Sequence, residues 1–152
     1  MVRGDMSRQG GVVLIEALLG ILIFSIGILA LIGMQSVAVK NTTDARYRTE
    51  AAYLANGILS QIRLDMLNLN QYADANVGNY APRTTWRNQV EALLPGISIA
   101  SVQRVPSIAI AAGPTFAGDT DAPSRVTVTL TWMQPGETQE RRFEIVGFVS
   151  RQ

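Results

Sequence analysis

From Val12 to Met34 the chain holds 23 residues in which only Glu16, Ser25 and three glycines interrupt a run of Leu, Ile, Val, Phe, Ala and Met. That is about the length a helix needs to cross the hydrocarbon core of a bilayer. Farther on the pattern narrows to a stripe. Tyr47, Ala51, Leu54, Ala55, Ile58, Ile62, Met66 and Leu69 recur at helical spacing, while Arg46, Glu50, Asn56, Ser60 and Arg63 face elsewhere. No proline falls between Val12 and Ala81. The two patterns therefore predict one long helix, apolar all round in its first half and amphipathic in its second, ending at about residue 67.

Asn68, Asn70 and Gln71 open a polar stretch that predicts a loop over 68–83. Thr84 or Thr85 is placed to cap a short helix over about 85–94, with Trp86, Val90 and Leu93 on one face and Pro95-Gly96 as its stop. Antiparallel strands are expected over about 97–105, 126–133 and 140–150. The middle one is the clearest, because Val126, Val128, Leu130 and Trp132 alternate with three threonines. Pro135-Gly136 predicts the hairpin turn between the last two. Ile108 to Ala112 reads equally as an edge strand or an irregular connection, and Gly113 to Ser124 as an exposed loop. A sheet of this kind must be covered on one face, and the amphipathic half of the long helix is the element available. The fold class expected is α+β, a long N-terminal helix packed on a small antiparallel sheet.

Composition narrows the chemistry. The chain has no cysteine, hence no disulfide or thiolate, and no histidine, which removes the commonest general base and most zinc sites. Basic residues number 13 and acidic residues 12; without residues 1–11, which hold Arg3, Arg8 and Asp5, 11 of each sign remain. Scattered and balanced charge gives no footprint for nucleic acid, so no nucleic-acid partner is expected. Arg3 and Arg8 before the apolar run face Lys40, Arg46 and Arg48 after it, so charge alone does not orient the span.

Glu16 then stands out, because a carboxylate in a lipid-length helix costs energy that an ordinary anchor avoids. It follows a polar leader ending in Gly10-Gly11. A secretory signal peptide would have a shorter apolar region and a small-x-small cleavage site, which Ala30-Leu31-Ile32-Gly33 and Ala38-Val39-Lys40 match weakly. The segment Gly11-Val12-Val13-Leu14-Ile15-Glu16, followed by the apolar helix and the expected sheet, resembles the type IV pilins and type II secretion pseudopilins. Further likeness lies in the stretch Ala17 to Leu31, the stripe through Leu54-Ala55, the helix ending in Leu94-Pro95-Gly96 and the strand closing on Thr131-Trp132. Together these resemble the PilV family of minor pilins, with the I-type minor pseudopilins of type II secretion as close relatives and the alternative reading.

The resemblance implies a leader over 1–11, a transmembrane and assembly helix over 12–40 and a globular pilin domain over 41–152. It implies cleavage between Gly11 and Val12 by prepilin peptidase, N-methylation of Val12, and Glu16 as the fifth mature residue, meeting the Val12 amine of a neighbouring subunit. Val12 and Val13 depart from the aromatic and the Thr or Ser usual at those two places, and a start at Met6 would shorten the leader to six residues. The partners implied are other minor pilins, major pilin subunits, the peptidase and the inner membrane, with the N-terminus cytoplasmic, the C-terminal domain periplasmic, and a final place in the pilus fibre or tip. No cofactor is implied, and the chain is not expected to be an enzyme. The competing class is a membrane-anchored periplasmic enzyme. Its best candidate group, Asp119 and Asp121, offers oxygen ligands for a hard cation but lacks a third acid at metal-binding spacing. Tyr72, Tyr80 and Phe116 are candidates for exposed loop contacts or for loop packing.

Overall fold

The computed structural model describes residues 9–76, 78–114 and 122–150. Its elements are helix α1 (Gln9–Leu64), a 3-10 turn (Met66–Asn68), helices α2 (Leu69–Tyr72) and α3 (Ala81–Leu93), and strands β1 (Ser107–Ala112), β2 (Ser124–Met133) and β3 (Glu140–Val149). The chain is α+β and divides into two compact units, Met1–Thr43 and Asp44–Gln152.

In the first unit every residue from 11 to 42 is exposed. This stretch makes α1 long and apolar enough to cross a membrane. Two of its three hydroxyls turn inward on the helix: Ser25 donates to the Ile21 carbonyl at 2.7 Å and Thr42 to that of Ala38 at 2.9 Å. Such back-bonding leaves fewer polar groups facing outward from an apolar surface.

In the second unit the stripe on α1 covers the sheet. Ala51, Leu54, Ala55, Ile58 and Ile62 are buried as their spacing predicts, joined by Leu59. Trp86 and Val90 of α3 enter the same core, and the Trp86 indole N–H donates to the Leu54 carbonyl at 3.0 Å, tying the two helices together. From β2 come Val126, Val128, Leu130 and Trp132, all at most 1% exposed. The sheet order is β1-β2-β3 with both pairings antiparallel, placing Val128 between Ile108 and Ile145 on the inner face. At the β2–β3 hairpin, Pro135 and Gly136 (φ 80°) are the central residues and the Glu137 N–H donates to the Gln134 carbonyl at 3.1 Å, as a type II turn requires. Opposite Val126, Gly147 lets β3 approach α1. A Cβ there would lie 2.6 Å from Cδ2 and 3.1 Å from Cγ of Leu59.

Several boundaries differ from those read along the sequence. No strand forms over 97–105. Ser98 and Gln103 make a single bridge, Val102 and Arg104 take φ of 55° and 49°, and Val102 is 79% exposed, so a tight loop occupies the segment. The edge strand is instead Ser107–Ala112, directly after Pro106, where Ile108 is buried against β2. The long helix stops at Leu64 rather than 67, and the predicted loop over 68–83 holds α2 and the first residues of α3. That helix begins at Ala81 with a proline in its first turn and Tyr80 as its N-cap, so neither Thr84 nor Thr85 caps it. Thr84 donates back to the Tyr80 carbonyl instead. At its far end Leu94, not the 42% exposed Leu93, enters the core.

Candidate functional site

The Gly11–Val12 peptide bond is helical and lies close to Gln9, the first described residue of α1. Gly11 is helical, and a Cβ added to it would meet nothing within 4 Å. Glycine at a helical position costs about 0.5–1 kcal/mol relative to alanine, and no packing among the described residues compensates at Gly11. One turn farther on, Glu16 projects from a surface of exposed apolar side chains: Val12, Val13 and Ile15 are 66%, 62% and 68% exposed. No hydrogen bond or ion pair reaches Glu16 among the described residues. Val12 and Glu16, four residues apart, share one face of the helix.

The polar groups of the second unit are engaged in holding its own elements. Asp44 accepts from Arg48 Nε at 2.9 Å through one oxygen, and from Gln134 Nε2 at 2.8 Å through the other, with Arg141 Nε 3.3 Å away. That cluster fastens α1 to the β2–β3 hairpin. Just past the end of α1, Asp65 accepts the hydroxyl protons of Tyr72 (3.0 Å) and Tyr80 through one oxygen and the Asn68 amide (2.8 Å) through the other. The two rings meet edge to face with centroids 5.0 Å apart. The Tyr80 hydroxyl, and then the Asn68 amide, hold the Asp65 carboxyl below its ordinary range. Burial above all, then the bond to Asp65, raises the Tyr72 phenol; that bond is the main cause of the rise at Tyr80. Tyr72 and Tyr80 are thus packing residues of the loop. By spacing alone Asp65 reads as a surface acid and Asp44 is not marked at all; their farthest hydrogen-bond partners lie 15 and 90 residues away.

Among the described residues no group of three or more acidic, histidine or cysteine side chains could hold a metal ion. Asp119 and Asp121, like Phe116 and residues 1–8, lie outside the described residues. Compared with known proteins, the chain matches no family model, no curated protein and no solved structure.

Proposed function

We propose that this protein is a minor pilin, made with a leader, cut between Gly11 and Val12, methylated at Val12, and incorporated through its apolar helix into a priming or tip complex of a type IV pilus. The observation supporting this most is Glu16, a lone acid one turn beyond Gly11 on a stretch whose side chains are all exposed. A helix that is apolar on every side needs lipid or other helices around it. A carboxylate within it needs a cation, and the new amine of Val12 in a neighbouring subunit supplies one of matching charge at the matching end of the helix. On this reading the helix lies in the inner membrane before assembly, N-terminus cytoplasmic and the folded unit periplasmic, and other minor pilins and the major pilin are its partners.

N-terminal sequencing of the mature protein from its native cells tests the reading. The expected sequence starts at Val12, and Gly11→Leu is expected to leave the precursor uncut; a mature chain that retains residues 1–11 would overturn it.

A further inference from the structure

We propose that the cavity between α3 and the segment 99–107 is a binding site for a small oxyanion, a carboxylate or phosphate group, with Arg87 as the residue that binds it. The cavity measures about 480 Å³, in the range of small-ligand sites. Arg83, only 7% exposed, forms one wall. It donates to the Asn76 carbonyl at 2.9 Å and to Asp74 Oδ1 at 3.0 Å, and its buried Nε has no acceptor. Asp74 is fully engaged, its other oxygen accepting from the Ser107 hydroxyl at 2.6 Å and the Ile108 N–H at 2.9 Å. The Arg83–Asp74 pair is therefore neutral and rigid.

Arg87 lies one turn along α3 and lines the same cavity. It is half-buried, its Nε is buried without an acceptor, and among the described residues no carboxylate pairs with it. The acid at helical spacing from it, Glu91, accepts the Ile99 N–H at 3.1 Å and makes no ion pair with Arg87. The other half-buried arginines are paired, Arg104 with Glu140 at 2.8 Å and Arg141 with Glu137 at 3.2 Å. A half-buried guanidinium without a counter-charge is costly, and a forked donor set suits planar or tetrahedral oxyanions. Asn88 adds an amide beside it, while the Thr84 and Ser107 hydroxyls that also line the cavity donate to the Tyr80 carbonyl and to Asp74. This site is independent of the apolar helix and of the reading given to Glu16.

Isothermal titration of the full chain in a non-ionic detergent, with inorganic phosphate and with succinate in separate arms and sodium chloride at matched ionic strength as control, tests the site. The expected result is saturable one-to-one binding of phosphate or succinate but not chloride. Affinity should fall at least tenfold in Arg87→Gln, less in Arg87→Lys, and stay unchanged in Arg125→Gln, which removes an exposed arginine of β2. The wild-type titration is decisive even where Arg87→Gln folds poorly. The proposal is overturned if neither anion saturates, if chloride matches them, or if a folded Arg87→Gln binds as tightly as wild type.

Discussion

Val12 to Met34 and Ala51 to Ile62 are built from similar apolar residues on one helix, yet every side chain of the first is exposed and the stripe of the second is buried to within 4%. The difference lies in what each faces. Beyond Asp44 the apolar positions occupy one stripe, and a sheet with a matching inner face covers it. Before that they occupy every side of the helix, so no single layer of protein can cover them. Amphipathic patterning points to a partner within the chain, whereas apolar character all round points to one outside it.

Truncation at matched positions should separate the two regions most sharply. Ile58→Ala removes a side chain that is 1% exposed, and such a loss in a core costs about 2–5 kcal/mol, visible as a large drop in the melting temperature of the detergent-solubilised protein. Leu22→Ala, at a position 56% exposed, should leave that melting temperature unchanged. Equal effects at the two sites would end the contrast.

A smaller effect is expected where β3 meets α1. Gly147→Ala forces a methyl group onto Leu59 and should cost about 1–3 kcal/mol by chemical denaturation. Adding Leu59→Ala should recover part of that loss, a non-additivity expected only of residues in contact. Strict additivity would mean that Gly147 does not set the approach of strand to helix.

The smallest effect is electrostatic. The Asp65 carboxyl is held low in the folded protein, so its bonds to Tyr80, Asn68 and Tyr72 stabilise fully above the unfolded carboxyl value of about 4. That contribution disappears as pH falls through the lower folded value. Asp65→Asn should therefore melt below wild type at pH 6, with a gap that narrows as pH drops below about 4. A gap that does not change with pH would show that the carboxylate's charge is not what the two tyrosines hold.

The regular parts of this fold are legible in the sequence because local patterning and tertiary burial agree there. The stripe on α1, the alternation of β2 and the Pro135-Gly136 turn all follow from spacing alone. Reading failed where a contact distant in sequence overrode it. The edge strand forms at Ser107–Ala112, where the segment pairs with β2 and Ile108 also exchanges bonds with Asp74, more than thirty positions away, while the backbone of Ile97 to Val105 bonds only close in sequence, Ile99 to Glu91 and Ser98 to Gln103. Gly147, a glycine inside a run of β-formers, was the available sign of a close backbone approach. Of the candidate site, Gly11, Val12 and Glu16 are legible because they form a local motif. Arg83 and Arg87 are not, since what sets them apart is which acids turn toward them in three dimensions.

The most direct test of the apolar helix as an assembly surface is the fraction of full-length Glu16→Ala recovered in sheared filaments rather than in membranes, measured alongside its melting temperature. The expected result is a processed, normally folded protein confined to the membrane fraction, with Glu16→Asp partly restored to filaments. Recovery of Glu16→Ala in filaments at the wild-type level would contradict it.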